Sequence, residues 1–227
     1  MITLALETSG VIGSVALYIS KDLIFEEFLP EKYKPSIQLN TVIRTVAKQA
    51  GINPSQIEQV IANFGPGSFT GVRVGIAGAL GVSNALNIPL SGLGTSVLMA
   101  MQWTKIDSEF IIYIPRDTKS AYLSHWKKTK SNLELICAED VITDIGCHFS
   151  KFHNKMWIGA NPIWLEARMK ETGIIVNFSN EIFHPRARHM AILANEYRNF
   201  LLPLTEKNVK YIRQFTAKNK KGDYTWP

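Results

Sequence analysis

Cysteine is scarce in this chain: Cys137 and Cys147 are the only two among 227 residues. Two cysteines cannot make a disulfide framework, and so few suit a reducing cytosol. Charge is missing from a long internal stretch, because residues 59–106 carry only Arg73 and Lys105. Such a segment is rarely a solvated surface, and burial against protein is expected for it. A membrane span is not expected there, since glycines, Asn84, Asn87 and Pro89 break the apolar run before it reaches the ~18 residues a span needs. The opening MITLALETSG has no basic region and is interrupted by Glu7, so no signal peptide is expected and the cytoplasm is the expected location. Catalytic signatures are lacking too. The histidines at 125, 148, 153, 184 and 189 include no pair three or four residues apart, so no helix can present a His-x3-His metal pair, and no metal site is expected. No Gly-x-Ser-x-Gly elbow and no Gly-Lys-Ser/Thr phosphate loop occurs.

What is present describes a globular α/β protein. Hydrophobic content of 46% beside 19% charged residues rules out disorder as a class, and the length allows one large domain or two lobes of roughly 100 residues each. Ile2–Glu7, Val11–Ile19 and Leu23–Phe28 read as an antiparallel meander turning at Ser9-Gly10. A helix follows from Pro35-Ser36, with Leu39, Val42, Ile43, Val46, Ala47 and Ala50 on one stripe before Gly51. A strand at 59–64, a glycine-rich helix, a short strand near Leu90 and a helix at about 95–102 complete a first lobe, 1–104. A second lobe, 105–204, begins as a sheet again, with strands at 110–114, 121–126, 133–137 and 156–158 and helices at about 163–171 and 187–201. The last of these is placed to pack back on the first lobe. Residues 205–227 form a basic tail.

The most informative stretch is Gly65-Pro-Gly-Ser-Phe-Thr-Gly-Val-Arg-Val-Gly-Ile-Ala-Gly-Ala-Leu-Gly81, a glycine loop running from strand into helix. Gly65, Gly67, Ser68, Thr70 and Arg73 form the loop and first turns, with Ser68 or Thr70 as the expected helix cap. Gly71, Gly75, Gly78 and Gly81 then cluster on one side of the helix. Each costs about 0.8–1 kcal/mol relative to alanine. Close backbone approach is the expected compensation, to a strand of the same domain, to a partner helix or to a ligand. No acidic residue follows between Glu58 and Asp107, which argues against a dinucleotide site. Glu7-Thr8-Ser9, ending the first strand, is a second candidate loop, for a nucleotide phosphate or cation.

Leu4-Ala-Leu-Glu-Thr-Ser9 with Gly13-Ser-Val-Ala-Leu17, and above all the long motif from Gly65 to Ala77, resemble the bacterial TsaB (YeaZ) family. Pro115-Arg-Asp-Thr-Lys-Ser-Ala-Tyr122, His184-Pro-Arg-Ala187 and Tyr211-Ile-Arg213 are weaker echoes. The resemblance implies an actin-like, sugar-kinase/Hsp70-type (ASKHA) fold of two lobes, each a mixed sheet with flanking helices. It implies a non-catalytic role as dimerisation partner of the metal-bearing paralogue TsaD, in the complex that adds threonylcarbamoyl to the adenosine beside the anticodon of tRNAs reading codons that begin with A. A TsaE-type ATPase and tRNA would be met through that complex, and ATP or ADP at a subunit junction. By the same resemblance the first two helices form the interface, through Leu39, Val42, Ile43, Val46, Gly71, Val74, Gly75, Gly78 and Val82, and an isolated chain could use them to form a homodimer. The chain departs from the family in having Glu7 where an aspartate is usual, and Lys34-Pro-Ser36 where a His-Ser pair opens the helix.

Charge adds a third feature. The tail holds six basic and two acidic residues, four of the six net positive charges of the chain, with Tyr211, Phe215, Tyr224 and Trp226 interleaved. That pattern suits a solvated tail or contact with RNA. Alternatives to the partner-subunit reading are a glycoprotease-like peptidase or small-molecule kinase of the same fold, and a stand-alone RNA-binding protein.

Overall fold

The computed structural model describes residues 1–20, 23–29, 35–196 and 200–204. Lys34, residues 197–199 and the basic tail with its Tyr211-Ile-Arg213 echo lie outside them; the last helix, expected to run to 201, is not α-helical at 200–201. The first half runs β1 (Thr3–Glu7), β2 (Ser14–Ser20), β3 (Leu23–Phe28), α1 (Pro35–Gln49), β4 (Gln59–Asn63), α2 (Phe69–Leu86), β5 (Leu90–Leu93) and α3 (Thr95–Gln102). The second runs β6 (Ser108–Pro115), β7 (Ala121–Lys128), β8 (Leu133–Ile142), α4 (Ile145–Lys151), β9 (Met156–Gly159), α5 (Pro162–Thr172), β10 (Asn177–Ile182), α6 (Ala187–Glu196) and β11 (Leu202–Pro203). Each half makes the same sheet. An antiparallel meander, β1-β2-β3 or β6-β7-β8, is extended on the side of its first strand by two parallel strands, β4 and β5 or β9 and β10. β11 returns to the first sheet and pairs antiparallel with β5. This doubled arrangement is the actin-like (ASKHA) architecture.

The first sheet is covered on both faces, so every residue of β1 is buried. Leu4, Leu6, Val15 and Leu17 pack with Leu39, Val42, Ile43, Val46 and Ala47 of α1. On the other face Ala5 and Ala16 allow close approach of Ala187, Met190, Ala191 and Ala194 of α6. Parallel strands buried on both sides read as continuous apolar runs, which is why β1 and β4 stand out in the sequence. The α1 stripe lies in the chain's own core: Leu39, Val42, Ile43 and Val46 are each 7% exposed or less. In the single chain these side chains, expected from sequence at a partner interface, fill the space above β2 and β3.

Three elements escaped the sequence reading. β11 is a two-residue strand, Leu202–Pro203. α4 is a seven-residue helix of about two turns, capped by Asp144, whose carboxylate accepts from the Cys147 amide. β10, Asn-Phe-Ser-Asn-Glu-Ile, is a largely exposed edge strand with little apolar signal. The Ser9-Gly10 turn is also longer than expected, and β2 begins at Ser14 with Val11 exposed before it. In the basic run at 127–130, Lys128 is drawn inward, where its ammonium donates to the carbonyls of Met101 and Trp103 and burial lowers its pKa.

α6 also carries a pH-sensitive group. Burial, and to a lesser degree the charges of Arg186 and Arg188 opposed by Glu26, lower the His189 pKa from 6.5 to about 4. The unfolded chain therefore binds a proton more readily than the folded one between those values, and stability present above pH 6.5 is lost as pH falls toward 4. Unfolding titrations at pH 7 and pH 4.5 are expected to show up to about 2–3 kcal/mol of this loss, and His189→Gln to remove it.

Candidate functional site

The glycine loop is built around Glu7. Its side chain is wholly buried, and Oε1 accepts from the Ser9 amide at 2.6 Å, the Ser9 hydroxyl at 2.7 Å and the Gly10 amide at 3.2 Å. Asn63 Nδ2 donates to the other carboxylate oxygen, while Asn63 Oδ1 accepts from the Gly65 amide at 2.8 Å. Thr95 closes the ring, its hydroxyl donating to the Pro66 carbonyl at 2.6 Å and its amide to the Gly65 carbonyl at 2.9 Å. Desolvation raises the Glu7 pKa against the opposing effect of these hydrogen bonds. The carboxylate thus ties β1, β4 and the N-terminus of α3 into one polar knot. In the loop expected from sequence to take a phosphate or cation, Glu7 points inward with its acceptors occupied, Thr8 donates to the Gly71 carbonyl at 2.6 Å, and Glu7, Thr8 and Ser9 are each 4% exposed or less.

The helix glycines face this same knot. An added Cβ would lie 1.9 Å from the Thr8 carbonyl oxygen at Gly71, 2.4 Å from Thr8 Oγ1 at Gly75, and 2.4 Å from Leu39 Cδ2 at Gly78. Of the three approaches open from sequence, the structure places these glycines against β1 and α1 of the same chain. Of the α2 residues expected at a partner interface, Gly71 and Gly75 are buried there within the chain, and Val74, Gly78 and Val82 are partly buried. Ser68 caps α2, its hydroxyl accepting from the Gly71 amide at 3.3 Å. Gly65 holds φ +94°, the left-handed region open to glycine, and the Ser68 amide donates to the Ser9 carbonyl at 2.8 Å. Thr70 and Arg73 are exposed, the Arg73 guanidinium lying 3.8 Å over the Phe69 ring.

The outer side of α2 is the larger feature. Only five of its 18 residues are buried, although by length and composition it could cross a membrane. The packing of its inner side on β1 and β4 makes it a surface helix of the first lobe. Arg73, Ala77, Leu80, Gly81 and Asn84 are exposed, Leu80 by 43%, and their spacing puts them on one stripe. Arg73 was singled out from sequence with the loop and Gly81 with the helix glycines, whereas Ala77, Leu80 and Asn84 were not, although their three- and four-residue spacing was readable. Between the lobes lies a cavity of about 450 Å³, bordered by Ser9, Gly67, Ser68, Thr95, Asn161 and His184. Among the described residues, no three His, Cys, Asp or Glu side chains are grouped so as to hold a metal.

Comparison with known proteins agrees with this anatomy. TsaB of Buchnera aphidicola subsp. Schizaphis graminum, a tRNA threonylcarbamoyladenosine biosynthesis protein, is 34% identical over 194 residues, which are 82% of this chain and 90% of that protein. The chain belongs to the TsaB family. TsaB of Buchnera aphidicola subsp. Baizongia pistaciae is 31% identical over 167 residues, 71% of this chain and 75% of its own. The family model of TsaD, tRNA N6-adenosine threonylcarbamoyltransferase, matches residues 29–139, the span that holds α1, the glycine loop and α2. YeaZ from Pseudomonas aeruginosa has the same fold, with a TM-score of 0.70 at 18% identity over 92% of this chain and 100% of that one.

Proposed function

We propose that this TsaB-family chain is the non-catalytic partner subunit in tRNA threonylcarbamoyladenosine biosynthesis, and that it binds the metal-bearing TsaD-type paralogue through the exposed stripe of α2. One observation carries the reading: an 18-residue helix with a single charge leaves 13 residues incompletely buried. An apolar helix face of that size is stable in water when another protein covers it. The interface keeps the second of the two helices expected from sequence and centres on Ala77, Leu80, Gly81 and Asn84 with Arg73 at the rim. Val74, Gly78 and Val82, partly buried, border it. A second copy of the chain would use the same stripe when the paralogue is absent.

Catalysis then lies with the paralogue, and the polar groups of the Glu7 knot serve to hold the glycine loop in shape. The TsaE-type ATPase and the tRNA meet this chain through the complex, in the cytoplasm. Co-elution on a sizing column tests the pairing. The chain and its TsaD-type paralogue are expected to run as one complex, and separate peaks at micromolar concentration would refute the reading.

A further inference from the structure

A second cavity, of about 230 Å³, lies between the two halves of the chain, with Phe64, Ser96 and Leu202 lining it from the first and Tyr122, Trp126 and Leu135 from the second. Its walls are preformed. The Phe64 ring lies over the glycines of β5 and its end, since a Cβ at Gly92 would come 2.6 Å from Phe64 Cδ1 and one at Gly94 3.4 Å from Cε2. The backbone beside that ring is tied down by the bonds from the Gly65 amide to Asn63 and from Thr95 to the Gly65 and Pro66 carbonyls. Across the cavity Trp126 is buried, its indole N–H donating to Ser124 Oγ at 2.8 Å and its ring 6.2 Å from that of Phe200. A lining held by such contacts keeps its shape without an occupant, which lowers the cost of binding one.

The lining also sets the chemistry of the occupant. No charged side chain is part of it, so an ionised ligand would be desolvated there without a partner. Aromatic rings enter from both halves and suit a flat aromatic body. Ser96 has a hydroxyl with no hydrogen-bond partner among the described residues, and it can receive one polar group. Size narrows the class further: an apolar cavity of about 150 Å³ holds benzene, and drug-sized molecules fill ~300–1,000 Å³, so this one has room for a fused pair of rings. We infer that the cavity is a binding site for a small, uncharged, two-ring aromatic molecule carrying one N–H or hydroxyl group, which Ser96 hydrogen-bonds. Gly65 and Pro66 belong to the same lining, so the bound molecule rests against the loop that leads into α2.

Calorimetric titration of the full-length chain with indole tests this. Saturable binding with a dissociation constant on the order of 100 µM is expected, with magnetisation transfer from bound indole to the ring protons of Phe64 and Trp126. Leu135→Trp, at a lining position that is 43% exposed and so tolerates a larger side chain, is expected to fill the mouth and weaken indole binding at least tenfold at an unchanged melting temperature. Ser96→Ala is expected to weaken indole several-fold and to leave indene, the two-ring analogue without the N–H, unaffected. An indole carboxylate is expected to bind at least tenfold more weakly than indole. Absence of saturable binding at millimolar indole overturns the proposal, and so does binding that Leu135→Trp leaves intact, or a carboxylate that binds as well as indole. Binding that disappears as the chain self-associates would make a second copy the occupant and overturn it too.

Discussion

Gly71→Val is expected to remove a large share of the folding stability. The new Cβ would sit 1.9 Å from the Thr8 carbonyl oxygen, a backbone atom that cannot swing aside because Thr8 also donates to Gly71 and Ser9 is held by Glu7. Overpacking of this kind costs about 3 kcal/mol or more, against a total of roughly 5–15 kcal/mol for a domain. Gly81→Ala provides the contrast. Nothing lies within 4 Å of its Cβ position, and removing a helix glycine in open space is expected to add about 0.8–1 kcal/mol. Urea unfolding of the two variants checks both signs, and a Gly71→Val protein as stable as the parent would mean that the contact with Thr8 is wrong. A bulky residue at Gly75 would strike Thr8 too, and so reports on folding; association must be probed on the opposite side of the helix.

There the second large effect is expected. Ala77→Glu with Leu80→Asp places two carboxylates in the middle of the proposed contact while leaving the core untouched, since both side chains are exposed in the free chain. Burying unpaired charge at the centre of an interface weakens binding by several kcal/mol. Affinity for the TsaD-type paralogue is expected to fall at least 100-fold, with the melting temperature of the isolated chain within a few degrees of the parent. A control at Lys48, exposed near the end of α1, is expected to change affinity little. Loss of binding in the control and not in the double variant would move the interface off α2.

Much of this fold could be read from sequence because its central strands are buried on both faces. Thr-Leu-Ala-Leu-Glu and Gln-Val-Ile-Ala-Asn stand out as short apolar runs bounded by polar residues, and the glycine motif marks the strand-to-helix turn between β4 and α2. The edge strand β10 and the seven-residue helix α4 are too polar or too short to show periodicity, and they pack on neighbouring elements. The helices around the candidate site were legible in the sequence, and the direction in which their apolar and glycine sides face was not. A stripe such as Leu39, Val42, Ile43 and Val46 has the same period whether it meets a sheet or another subunit, and only packing decides; here β2 and β3 take it. The helix glycines had the same ambiguity, resolved by the passage of Thr8 across them. Glu7 was visible as a lone carboxylate at a strand end, but its partner Asn63 lies 56 residues away and is brought beside it by the parallel register that sets Leu6 opposite Ala62.

The central claim is best tested by reconstituted threonylcarbamoyl transfer onto unmodified tRNA. The TsaD-type paralogue and the other required components are assayed with and without this chain, and the adenosine beside the anticodon is read by mass spectrometry. A partner subunit predicts strong transfer with the chain present, little without it, none from the chain lacking the paralogue, and failure with Ala77→Glu/Leu80→Asp. Transfer that is equal with and without the chain would contradict the account.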